Sequence, residues 1–264
     1  MLTSALLGLL VGLILALTGA GGGILAVPLL VFGAGMKVAE AAPVALLAVG
    51  MAAALGAVLG LKAGLVRYRT ALLVAAAGML LAPAGLWAAR VADGRWLGLL
   101  FAATLLYVAL RTYRQATGKL QASVAPAPAC VRDPGTGRFV WTRPCARALA
   151  LSGAAAGLLS GLLGVGGGFV MVPALQRYTD LAIKPAVATS LAVIAIISLG
   201  GVSAAAAQGA IDWSRAAPFA AGALGGMLAG RSLAARVAGP QLQKTFAAVS
   251  ALVAIGMAIK TLAA

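Results

Sequence analysis

The sequence predicts an all-α polytopic membrane protein of two inverted-topology repeats, each a Gly-broken helical hairpin followed by three transmembrane helices. Three observations carry this prediction. The 264-residue chain is 62% hydrophobic and only 9% charged, where an average soluble domain is about one quarter charged. One glycine block occurs twice at a constant offset. The twenty lysines and arginines are spread unevenly over the loops between apolar segments. No stretch of about ten alternating polar and apolar residues suggests a membrane β-barrel.

The duplication sets the domain boundaries. Gly19-Ala20-Gly21-Gly22-Gly23, followed by Val27-Pro28, returns 145 residues later as Gly164-Val165-Gly166-Gly167-Gly168, followed by Val172-Pro173. The register holds without a gap as far as Gly85 over Gly230, through Leu46 over Leu191, Gly64 over Gly209 and Tyr68 over Trp213. The chain therefore divides into a first membrane repeat (1–112), a connecting loop (113–145) and a second membrane repeat (146–264).

Each repeat has one long apolar segment and three ordinary ones. They fall at 2–32, 41–61, 71–89 and 97–110, then at 146–175, 186–207, 216–235 and 242–259. The first lacks the charged start and cleavage pattern of a signal peptide, and its repetition inside the chain reads as a membrane element. As one helix, 2–32 would run about 46 Å, against a hydrocarbon core of ~30 Å. The glycines and proline sit mid-segment, where a helix is weakest. The segment is either one tilted, broken helix or a hairpin that returns to its own side.

Basic residues choose between the two, because they collect in cytoplasmic loops. One broken helix splits them twelve to eight. The hairpin puts fifteen on one side and leaves only Lys37, Arg90, Arg95, Arg215 and Lys260 opposite. The hairpin is therefore expected, with the connecting loop in the cytoplasm and both termini outside. An odd number of crossings per repeat then inverts the second repeat. The formal net charge of +15 follows from topology and anionic headgroups and does not indicate nucleic acid.

The connector is rich in turn residues, and 132–141 suggests a short hairpin. It also holds both cysteines, Cys130 and Cys145. Without histidine they make a poor metal site, and a disulfide needs an oxidising compartment. The expectation is two unpaired thiols.

A glycine break frees the N–H groups of the following half-helix, whose positive dipole end favours an anion. The candidate substrate site is Gly19, Gly21, Gly22 and Gly23 with Gly164, Gly166, Gly167 and Gly168, joined by Thr18 and Ser160 just before the breaks. Thr189 and Ser190 add hydroxyls that can donate to an anionic oxygen at low desolvation cost. Simple helix packing is the competing role for the glycines, and it is the reading for Gly8 and Gly12. Back-bonding to a carbonyl one turn earlier competes for the hydroxyls. Ser203 and Gln208 are weaker candidates, and Arg231 reads as a snorkelling cation. Only five acids exist, none inside an apolar segment; Glu40, nearest to membrane depth, is the coupling candidate. Without coupling, an inside-negative potential alone drives an anion outward, by ~2.3 kcal/mol per charge per 100 mV.

These motifs carry a resemblance. The doubled Gly-x-Gly-Gly-Gly-x-x-x-Val-Pro, Lys184-Pro185-Ala186-Val187-Ala188-Thr189-Ser190-Leu191, and Gly222-Ala223-Leu224-Gly225-Gly226-Met227-Leu228-Ala229-Gly230-Arg231 resemble the TauE/SafE sulfite exporters of the toluene sulfonate uptake permease superfamily. The likeness covers all but the connector. It implies an inner-membrane exporter of sulfite, sulfonates such as sulfoacetate, or related organosulfur anions. The first repeat has Pro43-Val44-Ala45 where the second has Ala188-Thr189-Ser190, so any site is chemically asymmetric. The expected partners are that anion and the lipid bilayer, with a homodimer allowed and no cofactor, metal or nucleic acid. A non-transporting membrane scaffold is the alternative, disfavoured by paired broken helices beside polar residues. A cation permease is disfavoured by the lack of in-membrane acids. Without histidine or an in-membrane carboxylate pair no enzyme reading stands.

Overall fold

In a computed structural model, the structure describes residues 2–19, 21–91, 94–117, 129–131, 139, 141–163, 165, 167–237 and 240–263. Ten α-helices and no strand occur among them. The first half holds α1 (Leu2–Thr18), α2 (Gly21–Gly33), α3 (Val38–Lys62), α4 (Tyr68–Val91) and α5 (Gly94–Ala116). The second holds α6 (Arg143–Leu163), α7 (Gly168–Tyr178), α8 (Ile183–Ala207), α9 (Trp213–Val237) and α10 (Pro240–Ala263). The duplication survives in detail. Helices α3 and α8 start and stop at residues 145 apart, and each ends on a left-handed glycine, Gly64 or Gly209. The next N–H bonds back to the same carbonyl in both: Leu65 to Gly60 and Ala210 to Ala205, each at 3.0 Å. This is the hydrogen-bonded stop that a glycine after the last turn permits.

Each long apolar segment is two helices folded back on each other. In the first half, a Cβ on Gly22 would strike the Val11 carbonyl, and one on Gly33 would meet Leu7 at 2.7 Å, so α2 retraces α1. In the second half, Gly167 lies against Ala156, the residue equivalent to Val11.

Parallel helix pairs surround these hairpins. Along α1, Gly8 and Gly12 take the backbone of Phe219 and Ala223 on α9, while Gly222 and Gly226 take that of Ala5 and Leu9 on α1. The counterpart pair is α6 on α4, where Gly153 and Gly157 seat against Val74 and Gly78. Lipid offers no hydrophobic drive between helices, so close backbone approach at small residues supplies the attraction. Gly8 and Gly12 thus have the packing role expected of them, and the second half repeats it.

Helices α3 and α8 form the buried centre and run antiparallel: Gly60 faces Ala188, Gly56 faces Leu191, Gly50 faces Ser198 and Gly201 faces Leu46. Helices α5 and α10 are also antiparallel, with Gly98 against Thr261. The starts of α1 and α9 and the end of α2 therefore share one end of the bundle, where Lys260 of α10 stands 5.2 Å over the Phe32 ring. We call it the terminal end. The start of α4, α6 and α8 and the end of α7 share the other, the connector end.

Among the described residues six helices are long and apolar enough to cross a membrane: α3, α4, α5, α6, α8 and α10. Side chains such as Leu80, Leu151, Leu199 and Leu252 are largely exposed on them, as lipid-facing residues are. Expectation and structure differ at two helices. Helix α6, a hairpin arm, has the length and apolarity of a full span. Helix α9 does not, because glycines and Arg215 dilute it; its small residues face α1, and contact with protein needs no apolar excess.

The connector corrects the expectation of free thiols. Cys130 and Cys145 form a disulfide, and both are fully buried. Cys145 belongs to the first turn of α6. Cys130 makes an isolated bridge to Thr179, its N–H donating to the Tyr178 carbonyl at 2.9 Å. The connector is thereby tied to both arms of the second hairpin at their base. Spacing alone gave no reason to pair these cysteines; tertiary contact with the end of α7 brings Cys130 into reach. The short hairpin expected at 132–141 lies largely outside the described residues.

Candidate functional site

The two glycine turns meet. A Cβ on Gly23, at the start of α2, would lie 2.7 Å from the carbonyl oxygen of Val165 in the second turn. Gly19 has φ +75°, a conformation open to glycine at little cost, and its N–H closes α1 on the Leu15 carbonyl at 2.8 Å. A side chain there would also collide with Val187 of α8. The first turn is thus held between the second turn and α8. Gly167 has φ +66° and precedes α7. Gly21 and Gly22 open α2 as Gly168 opens α7, while Gly164 and Gly166 lie outside the described residues.

The two adjacent hydroxyls of α8 are fully buried and point to different partners. The single Ser190 proton is shared between the Gly19 carbonyl at 3.1 Å and the Val187 carbonyl at 2.8 Å. Thr189 accepts the Arg67 backbone N–H at 3.1 Å. One hydroxyl holds the hairpin tip and the next holds the start of α4. Among the other expected residues, Thr18 back-bonds to the Ile14 carbonyl at 2.7 Å, and Ser160 is buried on α6. Glu40 is exposed in the first turn of α3, where its carboxylate receives the Lys37 N–H at 3.5 Å. The structure brings Gly19, Gly23 and Ser190 to the meeting point with Val165 and leaves Glu40 apart, at the terminal end. Ser203 bonds to the Gly200 carbonyl, and Arg231 reaches the Leu59 carbonyl at 3.4 Å.

Sequence reasoning missed two residues beside this site. Arg67, half-buried, has a buried Nε, and Thr70, 1% exposed, a buried Oγ1; neither atom has a hydrogen-bond partner among the described residues. Leaving a buried hydroxyl unpaired costs about 1–3 kcal/mol, and a charged group more. Arg67 had counted only as a topology charge. The usable signal was in the repeat, since positions 67 and 70 lie over Asp212 and Arg215. That second pair neutralises itself. The Arg215 Nε stands 3.5 Å from Asp212 Oδ2, and Asp212 Oδ1 accepts the Ser214 hydroxyl at 2.6 Å and its N–H at 3.1 Å. The Ser214 hydroxyl is the main reason the Asp212 carboxyl sits below the usual carboxylate range. Ser214 and Arg215 line a cleft of about 400 Å³ at the terminal end with Thr3, Ser4, Gly33 and Ala34.

The two hairpins thus meet at their glycine turns inside a helical bundle, and broken helices of this kind form the binding sites of many transporters. A family model described as sulfite exporter TauE/SafE matches residues 4–257. The chain belongs to the TauE/SafE family. It is a multi-pass membrane transporter of the bacterial plasma membrane. Two relatives, each called a probable membrane transporter protein, come from Xylella fastidiosa strains 9a5c and Temecula1. The TauE/SafE chain is 31% and 30% identical to them over 251 residues, which is 94% of this chain and 91% of each relative. No solved structure matches it significantly.

Proposed function

We propose that the chain exports sulfite, a sulfonate or a related organosulfur anion, bound where the two glycine turns meet and moved by alternating access between inverted repeats. The observation that carries this reading is the approach of Gly23 to Val165. It sets the starts of α2 and α7 near each other, and the start of a helix has N–H groups without an intrahelical partner and a positive dipole end. The site residues are those of the two glycine blocks with Thr18, Ser160, Thr189 and Ser190. Ser190 donates to an anion only by yielding its bonds to backbone carbonyls, whereas Thr189, which accepts from Arg67, keeps its own proton for the anion.

The antiparallel pairing of α3 with α8 and of α5 with α10 supports inversion, since each is the other's repeat equivalent. The fifteen-to-five charge split supports a cytoplasmic connector. Flux into and out of proteoliposomes, measured for sulfite, sulfoacetate, thiosulfate and sulfate, tests the function. Sulfite or sulfoacetate flux is expected, and absence of flux for all four anions removes the proposal. Imposed gradients separate the driving forces: stimulation by voltage without any effect of pH takes Glu40 out of the mechanism, whereas a pH effect abolished in Glu40→Gln keeps it.

A further inference from the structure

The start of α4 carries donors that the mechanism above does not use. Arg67 precedes the first residue of α4, and Thr70 lies within its first turn. The Arg67 Nε and the Thr70 Oγ1 are both buried without a partner. The Arg67 backbone N–H is fixed on Thr189. Arg231 joins this corner through the Leu59 carbonyl, and the neighbouring Gly60 lies against both Val66 and Ala188. A guanidinium N–H, a hydroxyl and the start of a helix all favour an acceptor with negative charge. The repeat supplies the comparison. At the terminal end the same positions hold the closed pair Asp212 and Arg215, and Val44 replaces Thr189. Duplication built two such corners, and among the described residues the terminal-end one pairs its arginine with an acid while Arg67 has no such partner.

We propose that Arg67, Thr70 and Thr189 form an oxyanion-binding port at the connector end, which receives the anion before it reaches the hairpin tips. Continuity with the tips is built into α8. Thr189 touches the port, and Ser190, the next residue, bonds to Gly19. The proposal rests on the reading of the chain as an anion transporter, so its test includes a measurement that needs no transport.

Purified full-length protein is heated with and without sulfite, using chloride at equal ionic strength as the control. Sulfite is expected to raise the melting temperature of the unaltered protein, Arg67→Lys and Arg69→Gln. Arg67→Gln and Thr70→Val are expected to lose that shift, with apparent sulfite affinity falling about tenfold for Arg67→Gln, the scale of one charged hydrogen bond. Thr70→Val carries the test if Arg67→Gln does not fold. Stabilisation undiminished in both variants overturns the port, as does no sulfite-specific stabilisation of the unaltered protein. Stabilisation that follows this pattern in a protein showing no anion flux keeps the port and overturns the exporter reading instead.

Discussion

Ser190 bonds at once to its own helix and to the first hairpin tip. Ser190→Ala leaves the Gly19 carbonyl without that donor and is expected to lower stability by about 1–3 kcal/mol, read from thermal unfolding in detergent. Gly23→Ala tests the meeting of the tips more directly. Its Cβ would push on the Val165 carbonyl, an overpacking cost of about 1–3 kcal/mol, and sulfite flux is expected to fall while helix content stays constant. Gly22 and Gly167 suit that test less well, because a side chain there meets the backbone of their own hairpin's first arm. Asp212 answers a different question. Its pKa is depressed in the folded chain, so its interactions are present above the ordinary carboxylate value and are lost only as pH falls through the lower folded value. Asp212→Asn is therefore expected to leave the pH profile of flux between neutral and mildly acid pH unchanged. At this scale the sequence disclosed residue types more readily than partners. Thr189 and Ser190 stood out as hydroxyls inside a span, yet nothing in their spacing separates a bond to Arg67 from a bond to Gly19. Those partners lie more than a hundred residues away.

The hairpins and the parallel glycine seams were legible to different degrees. The break inside each long segment was visible because glycine and proline interrupt an apolar run longer than a bilayer needs. The pairing of α1 with α9 was not, since a GxxxG spacing shows that a helix is approached closely and not by which helix. Gly12→Leu on α1 or Gly157→Leu on α6 is expected to cost about 1–3 kcal/mol, measured as a lower unfolding temperature or as loss of the folded monomer peak on size exclusion. The seams are equivalent, so the two changes should cost similar amounts. The disulfide closes a loop over a separation of 15 residues, worth about 3 kcal/mol on chain entropy, and acts on the second hairpin alone.

The whole molecule poses a question of orientation. The charge split argues for a connector in the cytoplasm, where thiols are kept reduced, whereas a disulfide belongs to an oxidising side. Alkylating intact cells with a permeant maleimide before lysis separates the two. With the charge-based orientation Cys130 and Cys145 are expected to be trapped as thiols. A bridge trapped intact in cells reverses the orientation, and with it the face that the Arg67 corner presents to the cell interior.

The central helices carry a consequence of another kind. Gly56 receives Leu191, and Gly201 receives Leu46; these are one contact seen from its two sides, because 46 and 56 lie over 191 and 201 in the repeat. Such reciprocity is the signature of a self-complementary dimer interface. At this contact the two halves of one chain pack as the two protomers of a symmetric dimer would. One chain need not keep its halves identical: position 67 is an arginine, while the equivalent position 212 is an aspartate already paired with Arg215.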